Sequence, residues 1–289
     1  MKILEIAGFL LIAALWGGSF LFMRIAAPIF GPVWLIEIRV LLAGLSLLPI
    51  LIKLNLLKEL RRYWKPLFIV GCLNSAMPFS LYAFASLSLP AGFTAILNAT
   101  TPLFGVIIAL FWLKEKLTIY RIIGLILGFF GVTLLVGWQS VGGTLSFVLA
   151  ATAGISAALM YAIAAPFVKV NLSGVPSLVI TTGSLLSGAV FILPFLPFTL
   201  PQNPITFQAI LAVISLALFS TSLAYILFYR LIHKIGSTQA LTVAYLVPIF
   251  AIIWGAVFLQ EAITVSMILS CGLILAGTAI ANISHDNKS

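Results

Sequence analysis

The chain has 289 residues, of which 63% are apolar and 7% charged, and its mean hydropathy is +1.26. These values exclude a water-soluble globule and place the chain in a bilayer. The net charge of +9 does not point to nucleic acid, because the basic residues stand at the ends of apolar runs, where they set topology.

Ten apolar runs of roughly 20 residues, each able to cross about 30 Å of hydrocarbon as a helix, fall roughly at 4–26, 32–52, 66–86, 90–112, 119–138, 144–166, 175–196, 206–229, 236–259 and 263–283. The expected fold is all-α: a polytopic membrane protein of ten transmembrane helices in two inverted five-helix repeats, 1–140 and 141–289. The loops are too short for a soluble domain. The first run could pass for a signal peptide with a weak site at Ala26-Ala27. However, Trp16, Gly17, Ser19 and Arg24 have counterparts 145 residues on in Tyr161, Ala162, Ala164 and Lys169, so removing it would leave the halves unequal.

The second run carries Arg39 about seven residues in, a depth near 10 Å at 1.5 Å per residue. A charge there needs a partner, water or a substrate anion, or else it snorkels to the outer headgroups; both readings stay open. Glu37 is two residues away and so points to nearly the opposite side of the helix. It is expected at the interface. Runs 3, 4 and 8 carry polar stripes at helical spacing: Asn74, Pro78 and Tyr82; Thr94, Asn98 and Thr101; Ser222, Tyr225 and Tyr229. Run 9 adds Thr238, Thr242 and Tyr245. Single members of such stripes serve interhelical hydrogen bonds, but four stripes together favour a polar cavity.

The strongest repeat joins residues 98–118, NATTPLFGVIIALFWLKEKLT, to 244–264, AYLVPIFAIIWGAVFLQEAIT. At an offset of 146 they share Pro102/Pro248, Phe104/Phe250, Ile107/Ile253, Leu113/Leu259, Glu115/Glu261 and Thr118/Thr264. Each proline removes a helical hydrogen bond and clashes with the carbonyl four residues back, on Asn98 and on Ala244. Such breaks in lipid are tolerable only against protein or water, and paired breaks in two halves of a chain point to a transport site. Thr118 and Thr264 suit helix N-caps, with Glu115 and Glu261 near those N-termini in a structural role. A proton-coupling role for them is the lesser reading.

Gly124, Gly128 and Gly131, and Gly183 with Ser187, read as sites of close helix packing. The Gly-rich turn at 141–144 joins the halves, and the uncharged, four-proline stretch 194–204 reads as a stiff outer turn. Cys72 and Cys271 lie inside apolar runs as packing residues. His233 stands at the end of run 8 beside Arg230 and Lys234, and His285 in the tail. With the N-terminus inside, thirteen of the fifteen basic residues fall on the cytoplasmic side, including Lys2, Lys53, Lys114, Lys116 and Lys288. Both termini are therefore expected in the cytoplasm. Trp34, Tyr63, Trp64, Tyr120 and Trp138 mark the interfaces. No catalytic motif, metal cluster or nucleotide-binding loop is visible, and no cofactor is expected.

ALWGGSFLFMRIA at 14–26, Arg39, and the two segments running from proline to Glu115-Lys-Leu-Thr and Glu261-Ala-Ile-Thr make the chain resemble the drug/metabolite transporter superfamily, in its EamA-like branch. The chain departs from the family pattern at Lys114 and Gln260, where glycine is common, and at Tyr161-Ala162, where the second half lacks the Trp-Gly pair. The resemblance implies a ten-helix inverted-repeat transporter with a cavity formed largely by runs 3, 4, 8 and 9, often exporting amino acids or other small metabolites.

The expected function is secondary transport of a small amphipathic metabolite, amino-acid-like or drug-like, by alternating access in the plasma membrane. Trp16, Tyr82, Asn98, Tyr225, Tyr229 and Tyr245 would line the midplane site. Arg39 would attract a carboxylate near the outer entrance, and Pro102 and Pro248 would act as kinks or hinges. The partners are a small-molecule substrate and the lipid bilayer, with proton coupling and a homodimer left open. The rivals are a membrane-embedded enzyme acting on lipid and a non-catalytic membrane subunit.

Overall fold

The computed structural model describes residues 3–112, 114, 118–139, 144–201 and 203–282. Lys2, Glu115, Lys116, the turn residues 141–143, His285 and Lys288 lie outside the described residues, as do the side chains of Trp138 and Thr238. Among the described residues every regular element is helical, and nine helical stretches are long and apolar enough to cross a membrane. The protein is an integral, multi-pass membrane protein.

The first helix, α1 (Ile3–Lys53), has 51 residues, which at 1.5 Å each would make a rod of about 77 Å, more than twice the hydrocarbon thickness. It is not straight. Gly31 interrupts it at φ 73°, ψ 155°, a conformation that glycine adopts without steric cost. Pro32 has no N–H and displaces the carbonyl of Pro28, which accepts a hydrogen bond from Asn203 Nδ2 at 2.8 Å instead. One residue thus makes the break that the hydropathy pattern suggested as a short loop.

A surface helix, α2 (Leu57–Arg62), leads into α3 (Trp64–Gly71), which runs through a π-helical turn (Cys72–Ala76) into α4 (Met77–Ala85). Then come α5 (Ala91–Asn98), α6 (Thr101–Trp112) and α7 (Ile119–Gln139). The second half follows with α8 (Leu145–Asn171), α9 (Ser177–Ile192) and α10 (Phe207–Ala217). A second π turn (Leu218–Leu223) carries α10 into α11 (Ala224–Ile235). After α12 (Ser237–Leu241) and a 3-10 turn (Thr242–Tyr245), α13 (Val247–Leu259) and α14 (Val265–Asn282) complete the chain.

The irregularities recur with the sequence repeat. The two π turns begin 146 residues apart. Helices α5/α6 and α12/α13 each break just ahead of the repeated proline, Pro102 or Pro248. The carbonyl that Pro102 frees, on Asn98, accepts from Thr101 Oγ1 at 2.8 Å, so the break leaves no bare acceptor there. Lys114 and Gln260 both adopt left-handed backbone, at φ 52° and 55°. That explains why glycine suits this position, since only glycine enters that region without steric cost.

Helix α1 lies at the centre, packed on α4, α9, α10 and α13, while α7 and α14 pair along their length. A Cβ on Gly124 would come within 2.5 Å of the Gly277 carbonyl, and one on Gly277 within 2.6 Å of the Gly128 nitrogen. The small residues therefore permit backbone contact, which is how helices associate in lipid. A Cβ on Gly71 would likewise come within 2.8 Å of the Ser184 carbonyl and the Ser187 Cβ of α9.

Candidate functional site

A cavity of about 210 Å³ lies where α1, α4, α5, α8, the second π turn, α11 and the break before α13 meet. A single water needs about 10–15 Å³ of such room, so the cavity can hold several waters or one small solute. Trp16, Arg39, Tyr82, Asn98 and Tyr225 line it, Arg39 among them rather than apart at an outer entrance. Tyr229 and Tyr245 are not among its described lining residues. Tyr229 stacks behind Tyr225 at 6.0 Å, and Tyr245 Oη accepts from Asn282 Nδ2 at 3.1 Å.

The periodicity argument missed Phe79, Tyr161 and Ser220, along with Ser19, Phe20 and Met23 on α1. The repeat offsets contain the signal. Tyr161 is the counterpart of Trp16, Phe79 of Tyr225, and Ser220 of Asn74. Asn98 and Ala244, the residues whose carbonyls oppose the two prolines, also line the cavity from opposite halves. Helices α1 and α8 thus contribute alongside the elements that the resemblance implied.

The walls are aromatic. Tyr82 stacks on Tyr161 at 6.0 Å and meets Phe20 edge-on at 5.9 Å; Phe79 meets Tyr161 at 6.2 Å, and Trp16 meets Tyr225 at 6.1 Å. Such contacts hold large rings in fixed orientation. Tyr82 Oη donates to Asn98 Oδ1 at 3.0 Å, which leaves the Asn98 amide N–H groups as donors.

Arg39 does not reach for headgroups. Its side chain is 5% exposed, and its guanidinium carbon sits 3.6 Å from the centroid of the Phe79 ring, a cation–π contact. Nε donates to Thr221 Oγ1 at 3.1 Å, and Nη1 approaches Met23 Sδ at 3.9 Å. The π turn makes this geometry. Thr221 returns its hydroxyl proton to the carbonyl five residues back, on Leu216, at 2.8 Å, so its oxygen is left to accept from Arg39. Glu37, expected at the interface, is buried at 5% exposure; Oε2 has no hydrogen-bond partner, and no ion pair with Arg39 occurs among the described residues.

A second polar cluster bridges the two halves. Arg24 Nη1 donates to the carbonyls of Ser86 and Leu87, at 2.7 and 2.9 Å, and Nε lies 3.5 Å from Glu261 Oε1. Glu261 Oε2 accepts from the Ala91 backbone N–H at 2.9 Å. Glu261 therefore serves a helix N-terminus, but that of α5 in the other half rather than that of α14, the expected one. The reason is local at both ends. Pro90 offers α5 no side-chain cap, so the Ala91 N–H needs an acceptor, while Thr264 already caps α14 by accepting from Met267 N at 3.3 Å. Thr118 caps α7 likewise, through Arg121 N at 3.4 Å. Glu261 lies between the helical spans, and burial pushes its carboxyl above the usual carboxylate range, against the opposing pull of the Ala91 N–H and Arg24.

The model of the EamA-like transporter family matches the chain twice, over residues 3–137 and 148–283. Uncharacterized transporter YoaV of Bacillus subtilis (strain 168) is 25% identical over 276 residues, covering 93% of this chain and 94% of its own. Uncharacterized transporter YvbV of the same organism is 27% identical, with 95% and 90% covered. Protein PagO of Salmonella typhimurium is also 27% identical, with 97% and 96% covered. A crystal structure at 18% identity superposes with a TM-score of 0.69 over 99% of both chains, which supports the fold alone. Two family matches spanning nearly all of both halves, on a helical membrane scaffold, place this chain in the EamA-like transporter family.

Proposed function

We propose that the protein is a secondary transporter that moves a small amphipathic metabolite across the plasma membrane, in the direction of export, by alternating access. In this reading α1 crosses twice, turning at Gly31, which gives ten crossings in two oppositely oriented units with both termini in the cytoplasm. The distribution of basic residues supports that orientation. One observation carries the proposal: a single polar and aromatic cavity is lined by repeat-related residues of both halves, at the breaks of two helices. A rigid-body movement of one half against the other would change access to such a site without rebuilding it. Pro102 and Pro248 would act as the hinges.

The Arg24–Glu261–Ala91 cluster then falls on the outer side, where it joins α1, α5 and the end of α4 to the turn after α13. It would hold the outer face shut and have to open for release.

The test uses purified protein in liposomes and measures solute accumulation with a proton gradient imposed and collapsed. Saturable flux without covalent change is expected, and the gradient comparison decides proton coupling. Lipid turnover without flux would favour an embedded enzyme. Cysteines introduced at 115 and 261, with Cys72 and Cys271 replaced, should label from opposite sides of the bilayer.

A further inference from the structure

Granting that the cavity is the transport site, we infer that its substrate class is a monoanion with a flat, aromatic body, and that Arg39 selects against solutes bearing an ammonium group. The charge balance is the first argument. Arg39 is the one charged residue among the described lining residues, it is buried, and it has no carboxylate partner among them. An unpaired guanidinium at bilayer depth is costly, and a bound anion is the partner it lacks.

The surroundings of Arg39 repeat the message. Of its five donors, one is spent on Thr221 and another only on the weak acceptor sulfur of Met23. Tyr161 and Tyr225 line the same cavity as Arg39. Ser220 Oγ, on the π turn that positions Thr221, lines the cavity buried and without a hydrogen-bond partner. The Asn98 amide adds N–H groups whose own acceptor is taken by Tyr82. This is a set of donors around one positive charge, the complement of a carboxylate.

The aromatic walls define the rest. Rings at stacking distance accept a flat apolar body edge-on or face-on, and they could also attract an ammonium by cation–π contact. Arg39 already occupies the Phe79 face, and its charge opposes a second cation in so small a space. An α-amino acid would satisfy the anion site while leaving its ammonium without a carboxylate among the described lining residues.

Three ligands that share a phenyl ring on a two-carbon arm separate these terms: 3-phenylpropionate, L-phenylalanine and phenethylamine. Binding is read by calorimetry on the full chain in nanodiscs. The expected order is 3-phenylpropionate tightest, phenylalanine at least about tenfold weaker, and phenethylamine weakest. Arg39→Gln should weaken 3-phenylpropionate by about 30-fold or more and leave phenethylamine no weaker. Phenylalanine or phenethylamine binding as tightly as 3-phenylpropionate, or no binding of 3-phenylpropionate, overturns the inference, and this wild-type comparison does not depend on the variant folding. Liposome flux separates the two readings. Binding in the expected order without flux removes the transporter reading and keeps the anion site, whereas flux of phenylalanine in preference to 3-phenylpropionate does the reverse.

Discussion

The two proline-broken helices, α5/α6 and α12/α13, have the same design and different surroundings. Both break just before the proline, and a left-handed residue, Lys114 or Gln260, stands beyond each. At the position opposite the proline one presents Asn98, tied to Tyr82 Oη, and the other presents Ala244, which can make no side-chain hydrogen bond. Against α13 stands Gly17 of α1, where a Cβ would meet the Ala251 nitrogen at 2.9 Å; its repeat counterpart, Ala162 of α8, carries a Cβ and is buried without difficulty. Duplication therefore preserved the backbone irregularities, while the side chains and the tightness of packing diverged. One half holds a polar anchor and the other a close steric fit.

Gly17→Ala is expected to break that fit most severely. The added methyl meets the Phe250 Cβ and backbone rather than a flexible chain end, and overpacking of this kind costs about 1–3 kcal/mol. Melting of the purified protein should show a clear loss, whereas Ala162→Gly should cost about 1 kcal/mol through helix propensity. Equal losses would mean that the two contacts are equivalent after all.

Asn98→Ala tests the polar anchor. It leaves the buried Tyr82 hydroxyl without its acceptor, a cost of about 1–3 kcal/mol, which the double variant with Tyr82→Phe should largely recover. No recovery in that thermodynamic cycle would show that Asn98 acts through something other than Tyr82. In the other half, Ala244→Cys should leave stability near that of the parent chain.

The smallest effect concerns the bridge between the halves. Because the Glu261 carboxyl is raised by burial, the folded protein holds its proton more tightly than the unfolded chain does. The stability contributed by that difference is present at low pH and is lost as pH rises through the raised value. Melting temperature followed from pH 4 to 8 should therefore fall toward neutral pH more in the parent chain than in Glu261→Gln, whose side chain keeps an oxygen for Ala91 N but does not titrate. Parallel profiles would show that Arg24 and the Ala91 N–H fully offset the burial.

Much of the architecture was legible in the residues. Hydropathy marked the spans because the lipid core demands long apolar helices with internally satisfied backbones. The 146-residue offset located both broken helices, and the row of glycines on α7 marked a face of close packing without naming its partner, α14. The site was harder to read. Tyr229 and Tyr245 belonged to stripes with the right spacing, yet they lie outside the described lining, because spacing gives a face of a helix and not its rotation about the axis. Phe79 and Tyr161 were visible only as the repeat counterparts of Tyr225 and Trp16. That neighbouring helices cover Glu37 was not legible, since depth along a helix says nothing about which neighbour covers a side chain.

The chain by itself determined the solvent it lives in, the helices, their repetition and the places where they break. These follow from hydrocarbon burial and backbone hydrogen bonding, which act along the sequence. Only the tertiary structure decided that Arg39 would rest on Phe79 and Thr221 and that Glu261 would answer a donor in the opposite half. Those contacts join residues 40 to 182 positions apart, and they depend on how helices rotate and approach one another, which in lipid is set by side-chain packing and a few polar partners rather than by hydropathy.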